Sequence, residues 1–137
     1  MADLAAPDQR KVRAEQAVVA VALLAGFVFG AAWVVPAVVV VVALGVASED
    51  ANLVWRIWDR AVAPRLRGPG TADDPALVRL ESLVVVVVLT VATAGFAAGL
   101  EALGWIASLA VAVRGAVAAT TRLDPVRTLL LRLARSA

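Results

Sequence analysis

The chain contains no cysteine, no histidine and no tyrosine among its 137 residues. Without cysteine there is no disulfide, no thiolate nucleophile and no thiolate metal ligand. Without histidine there is no imidazole base and no histidine-ligated haem or zinc. The sequence also has no phosphate-binding loop, dinucleotide fingerprint or nucleophile elbow. We therefore expect a protein without catalytic activity, without a cofactor and without a metal.

Charge is missing from two long stretches, residues 16–47 and 82–100. The chain is 62% hydrophobic, whereas soluble domains are about 45–50% apolar. A helix needs about 20 apolar residues to cross the hydrocarbon core. The first stretch is too long for one helix and fits two short helices joined by a tight turn. The pattern predicts an all-α membrane protein with one domain over residues 1–137, built as two transmembrane hairpins.

Four spans and two surface helices follow from these stretches. The spans are predicted at about residues 14–31, 36–47, 76–98 and 105–121. Asp74 before Pro75 is a typical start for the third span, as cap and first helical position. The surface helices, at about residues 48–63 and 125–135, are amphipathic and should lie along the lipid headgroups. The mixed charges at the N-terminus do not fit a signal peptide, so the first span is expected to remain in place.

The basic residues are distributed unevenly around the predicted spans. None of the thirteen Lys and Arg residues lies in the turns at 31–36 and 99–104, and only Arg114 lies far from the end of a span. The positive-inside rule therefore predicts a multi-pass protein of the inner (cytoplasmic) membrane with both termini cytoplasmic. Trp33 and Trp105 are expected at the outer interface. The inner interface is expected to hold Trp55, Trp58, Arg56, Arg60, Arg65 and Arg67.

Both hairpins contain the same glycine pattern near the end of the first span. Gly26 and Gly30 are four residues apart, as are Gly95 and Gly99. This spacing places two small residues on one helix face and lets another backbone approach. We expect all four glycines to be buried, and we favour packing inside the fold over docking to another subunit. The last span offers a complementary ridge of small side chains at Ser108, Ala112 and Ala116.

Arg114 is the one charged residue near the middle of a predicted span, because Glu15, Arg79 and Glu81 lie close to the ends of theirs. Counted from Trp105, it lies about 13 Å below the outer interface, near the middle of a core about 30 Å thick. A central arginine costs about 2.5–3.5 kcal/mol on insertion scales. It either forms a buried site with an acid or anionic ligand, or extends to inner-leaflet phosphates. The glutamates are predicted at span ends, so in the first case an acidic side chain would have to come from a neighbouring chain.

Two short sequences accompany this layout. The segment VAPRLRGPG stands at Val62–Gly70 in the central connection, and RLESL stands at Arg79–Leu83 where the third span begins. Together with the polar lead and the two hairpins, they resemble a bacterial family of small four-span membrane proteins of unknown function. Many members of that family have Cys-x-x-Cys near the end of the fourth span, which implies sulfur or redox work. Here residues 118–122 read AATTR, so the resemblance implies an architecture and no activity.

Two functions remain open from the sequence. The first is a non-catalytic accessory or structural subunit packed against a larger membrane complex. The alternative is a small transporter, or a lipid- or quinone-handling protein, with Arg114 at its site. Expected partners are anionic lipids at the basic segments and other membrane protein subunits. No base-reading motif indicates nucleic acid.

Overall fold

The computed structural model describes residues 8–65, 74–120 and 132–136, and these are helical throughout apart from short turns. Residues 132–136 form a short helical stretch, and no strand occurs in the described ranges. The all-α prediction is therefore confirmed for these residues. The five principal helices are α1 (Gln9–Val28), α2 (Val34–Ala47), α3 (Leu53–Ile57), α4 (Pro75–Ala97) and α5 (Glu101–Thr120).

Helices α4 and α5 are long and apolar enough to cross a membrane, and α2 is a shorter apolar helix. Only 28% of the apolar window in α4 and 33% of that in α5 is buried inside the molecule. Most residues in these two windows are therefore partly or fully exposed. This differs from the core helix of a soluble protein, which is mostly buried.

Aspartate caps explain where α1 and α4 begin. The Asp8 carboxylate accepts a hydrogen bond from the Arg10 backbone N–H at 2.8 Å, so α1 starts at Gln9, five residues before the predicted span. The Asp74 carboxylate accepts from the Ala76 N–H at 3.0 Å, and Pro75 occupies the first helical position. Both caps satisfy backbone donors that a helix N-terminus otherwise leaves unpaired.

The two hairpin turns have the same hydrogen bonds. The Ala31 N–H donates to the Gly26 carbonyl at 2.7 Å, and the Leu100 N–H donates to the Gly95 carbonyl at 2.7 Å. The residue just past each helix has a positive φ, +64° at Gly30 and +81° at Gly99. This is the Schellman arrangement, in which glycine takes the left-handed position that ends a helix.

The predicted burial of all four glycines is wrong for Gly30 and Gly99. Both are exposed, and a Cβ added to either would meet nothing within 4 Å. Their role is conformational, because they lie beyond the helix ends and terminate α1 and α4. Gly26 and Gly95 are buried. A Cβ on Gly26 would lie 3.0 Å from the Val34 Cβ, so this glycine lets α2 fold back closely on α1.

The four long helices form a bundle in the order α1, α5, α4, α2. Helix α5 packs mainly on α1 and α4, and α2 packs mainly on α4. The core contains Leu23, Val35 and Leu89, which are fully buried, and Ser108 and Ala112 of the predicted ridge are fully buried beside it. Ala116 is half-buried. We call the end with the two hairpin turns the outer end and the end where α1 and α4 begin the inner end.

The predicted surface helix over residues 48–63 is interrupted. It consists of a 3-10 turn at Glu49–Ala51, helix α3, a π-helical turn at Trp58–Val62 and a 3-10 turn at Ala63–Arg65. The break falls at Asn52, whose extended backbone (ψ 103°) stops one helix and caps the next. Its side-chain oxygen accepts from the Trp55 N–H at 3.1 Å. The second surface helix was predicted over 125–135, which lies mostly outside the described residues.

Candidate functional site

The clearest polar feature of the bundle is an ion pair between α4 and α5. Arg114 Nη2 lies 3.4 Å from Glu81 Oε2. The side chains are only 12% and 3% exposed, respectively. The expectation that Arg114 must find its acid on a neighbouring chain is therefore wrong, because α4 of the same chain supplies it. A buried charge of this kind is tolerated when a partner and further hydrogen bonds compensate for its lost hydration.

A different count along the chain would have found this pair. Glu81 lies six residues after the start of α4 at Pro75, and Arg114 lies six residues before the end of α5 at Thr120. Because α4 and α5 are antiparallel neighbours, equal distances from their inner ends place both side chains at one level. That level is about 9 Å inside each helix end. The count from Trp105 gave the depth of Arg114 alone and did not compare it with the depth of Glu81.

Glu15 on α1 joins the same region from the opposite side of α5. Helix α1 approaches α5 closely beside it, where a Cβ added to Gly115 would stand 2.9 Å from the Gln16 backbone oxygen. The Glu15 carboxylate accepts a hydrogen bond from Asn52 Nδ2 at 3.4 Å. Asn52 is itself buried. Glu15, Asn52 and Glu81 were not among the predicted site residues.

Gly45 makes room for Asn52. An added Cβ on this α2 glycine would lie 2.7 Å from Asn52 Nδ2, far closer than real Cβ contacts. The amide of Asn52 can therefore reach Glu15 only because α2 carries no side chain at this point. Gly45 belongs to α2, but the contact that it permits joins Asn52 to Glu15, which lie on two other segments at the inner end.

The inner end is covered by the segment that contains α3. Trp55 is buried against Val12 and Val78. Lys11 Nζ stands 4.7 Å from the centre of the Trp55 ring and 3.2 Å from Asp59 Oδ1. Trp55 was predicted at the membrane interface, but the structure turns it inwards. Leu53 and Ile57 on the same segment are exposed, so they form its outward apolar face.

Two cavities lie next to these polar groups. One, of about 30 Å³, is lined by Glu15, Glu81 and Arg114 among other residues. The second, of about 90 Å³, lies nearer the inner end and is lined by Asn52, Trp55 and Arg79 among others. Both volumes are well below the 300–1,000 Å³ typical of pockets for drug-sized organic ligands.

The outer end has a different character. The Trp105 ring meets Phe27 edge-on at a centroid distance of 5.4 Å and Phe96 at 4.9 Å. Trp105 thus joins the first turn to the second and is half-buried, whereas Trp33 is exposed. Glu101 is exposed on the same end. The described outer end offers aromatic packing and no buried ion pair.

The remaining predicted interface residues that the structure describes lie at the inner end. Trp58 is half-buried, and Arg56, Arg60 and Arg65 are exposed. Arg67 lies outside the described residues. Among the residues that the structure describes, no three acidic side chains come together in a way that could hold a metal ion.

A comparison with protein families gives one match. The model of the domain of unknown function DUF4395 covers residues 8–123. None of the curated proteins and none of the solved structures gives a significant match. The matched range includes all four long helices, both turns and the Arg114–Glu81 pair. The chain therefore belongs to the DUF4395 family.

Proposed function

We propose that the protein is a non-catalytic integral membrane protein with four spans, which acts as an accessory subunit of a larger membrane complex. The observation that supports this most directly is a belt of exposed apolar side chains on all four long helices. We call it the apolar belt: Val18, Val21, Leu24, Val40, Leu44, Leu83, Val87, Val91, Ile106 and Val113. Exposed apolar surface of this extent requires lipid or an apolar partner to cover it.

The lengths of the helices are compatible with four spans in a locally thinned bilayer. The uncharged part of α1 and the whole of α2 are each about 20 Å long, shorter than a hydrocarbon core of about 30 Å. A short hairpin is accommodated by local thinning at a modest cost. The exposed Arg56, Arg60 and Arg65 lie at the inner end. The positive-inside rule then favours a cytoplasmic inner end.

The accessory role is supported by an open groove along the side of α5, on its exposed surface. It has a volume of about 480 Å³ and is lined by Ile106, Leu109, Ala110, Val113, Arg114 and Val117. A groove with a small residue such as Ala110 suits the side-chain ridge of a neighbouring membrane helix. The interior cavities, in contrast, are too small for an organic transport substrate.

The second candidate is a lipid-handling protein, and the same groove favours it. Arg114 stands at the edge of an otherwise apolar surface. An acyl chain in the groove would bring an anionic headgroup towards the guanidinium. In this candidate Arg114 is part of the lipid site, as in the alternative drawn from the sequence. Its charge is already paired with Glu81 inside the bundle.

Purification of the tagged full chain in a mild detergent tests the proposal. We expect other membrane proteins to co-purify at constant stoichiometry, and Ala110→Phe, which fills the groove, to release them. Thr90→Phe is the matched control, because Thr90 is exposed on α4 away from the groove. Release of an acyl lipid instead of a protein supports the second candidate. A chain that always has the mass of one protomer, with no bound protein, contradicts the accessory role.

Topology is tested separately with reporter fusions after Gly70 and Ala137. A cytoplasmic reporter should be active at both positions and a periplasmic reporter at neither. Activity of the periplasmic reporter at Gly70 would contradict the four-span arrangement with a cytoplasmic inner end.

A further inference from the structure

The two interior cavities share a wall. Glu15, Val78 and Ser82 line both the cavity of about 30 Å³ and that of about 90 Å³. One water molecule occupies about 30 Å³ in the liquid. The smaller cavity therefore has room for about one water and the larger for about three. Polar atoms line both, which is the condition under which buried cavities are hydrated instead of empty.

An independent observation comes from the indole of Trp55. Its Nε1 is fully buried and makes no hydrogen bond of good geometry among the described residues, although the Glu15 carboxylate lies near it and the ring lines the larger cavity. Buried indole N–H groups usually find an acceptor, because a buried donor without a hydrogen bond has lost its hydration without compensation. A water molecule in the adjoining cavity would provide that acceptor.

We infer that the two cavities form a water-filled vestibule, which opens at the inner end and stops at the Arg114–Glu81 ion pair. Its ligand is water, bound between Glu15, Trp55 and Ser82. Towards the outer end the path is closed by the core, where Leu23, Val35 and Leu89 are fully buried. Hydration from one side explains how a charged pair can stand within an apolar bundle, because its members keep part of their solvation.

The vestibule also gives small hydrophilic solutes a route from one side to Glu15 and Glu81. Its walls carry Glu15, Glu81, Arg79 and Arg114, two acidic and two basic side chains. Lys11 and Asp59 pair with each other beside Trp55, which lines the larger cavity. The formal charge of the lining is therefore balanced, which suits water and not a bound ion. The inference rests on the proposed function only for the side of the membrane to which the vestibule opens.

Cysteine accessibility tests the vestibule, because the chain has no cysteine of its own. Ser82→Cys places a thiol in the wall of both cavities. Thr90→Cys places one on the exposed surface of the same helix at the level of the apolar belt, and Ser108→Cys places one in the buried core. The full chain is reconstituted in vesicles of phosphatidylethanolamine and phosphatidylglycerol. The probe is Ag⁺, a small hydrophilic cation that fits a cavity with room for a few waters and that the hydrated thiolate binds.

We expect Ser82→Cys to react at least about tenfold faster than Thr90→Cys and Ser108→Cys, since a thiol in lipid or in a dry core ionises poorly. Equal rates at positions 82 and 90 would overturn the vestibule. Val78→Cys, which lines the same two cavities, should react as fast as Ser82→Cys and replaces it if that variant does not fold.

Vesicles of opposite orientation separate the two proposals. Fast reaction from the outer side only supports a vestibule but contradicts the proposed topology, whereas no fast reaction from either side overturns the vestibule alone.

Discussion

The outer and inner ends of the bundle are held together by different kinds of interaction. At the outer end, each turn is closed by hydrogen bonds between residues five positions apart or closer, such as Ala31 to Gly26. At the inner end, Glu15 meets Asn52 across 37 positions, and Glu81 meets Arg114 across 33. The outer end is therefore a local structure made twice, whereas the inner end exists only when four segments are assembled.

This difference predicts unequal responses to substitution. Changes at the outer end should act through backbone conformation and should be similar in the two hairpins. Changes at the inner end should act through buried charge, and the effect of one residue should depend on its partner. The three predictions below test this contrast, in order of decreasing effect.

The largest effect is expected for Glu81→Leu. This change leaves the Arg114 guanidinium buried without its carboxylate, and breaking a buried pair costs about 3–5 kcal/mol. Arg114→Leu should destabilise by a similar amount. The double variant Glu81→Leu/Arg114→Leu should recover most of the loss, because both buried charges are removed. Thermal unfolding in a mild detergent measures the free energy of unfolding for all three.

Glu101→Leu is the control for this series, because Glu101 is exposed at the outer end. Its effect should stay within about 0.5 kcal/mol, as for ordinary surface substitutions. If the double variant is as unstable as the sum of the single variants, the two side chains do not interact energetically. The 3.4 Å contact would then be a proximity without a stabilising role.

A smaller effect is expected at the two turn glycines. Gly30→Ala and Gly99→Ala should each lower the free energy of unfolding by about 1–2 kcal/mol, because a side chain is strained at positive φ. Asparagine tolerates this conformation better than alanine, so Gly30→Asn and Gly99→Asn should cost less. The same detergent unfolding assay measures all four variants. A larger loss for Asn than for Ala would indicate steric crowding, which the open surroundings of both glycines do not predict.

How far the sequence predicts each end follows from the same contrast. The apolar stretches locate all four long helices, and Asp74-Pro75 correctly starts α4, because these signals act over one or two turns. The four-residue glycine spacing is visible in the sequence, but the predicted burial is correct only for the first glycine of each pair. At the end of a helix the second glycine serves the chain reversal and not the packing face, and only the position of the helix end decides between these roles.

The inner end resisted prediction for a physical reason. Whether Arg114 has an internal partner depends on the depth of Glu81, and this depth depends on where α4 and α5 end and on their antiparallel packing. Asn52 looked like part of a continuous surface helix. Its side chain instead bonds to Glu15, and the backbone gives up helical geometry to allow it. Long-range polar contacts of this kind leave no periodic signal in the sequence.

The smallest predicted effect concerns the helix cap of α1. The Arg10 guanidinium beside it holds the pKa of the Asp8 carboxyl below its ordinary value of 3.8. A carboxyl whose pKa is lowered in the folded state stabilises the fold above its unfolded pKa, and this contribution is lost as the pH falls through the folded pKa.

Asp8→Asn keeps a capping side chain but does not titrate. We expect wild type to exceed Asp8→Asn in stability by less than about 1 kcal/mol near neutral pH, and the difference to disappear at a pH below 3.8. Arg10→Gln removes the cause of the shift, so the loss should then begin at higher pH. A difference that does not depend on pH between 2 and 6 would mean that the charge of Asp8 contributes nothing to the cap.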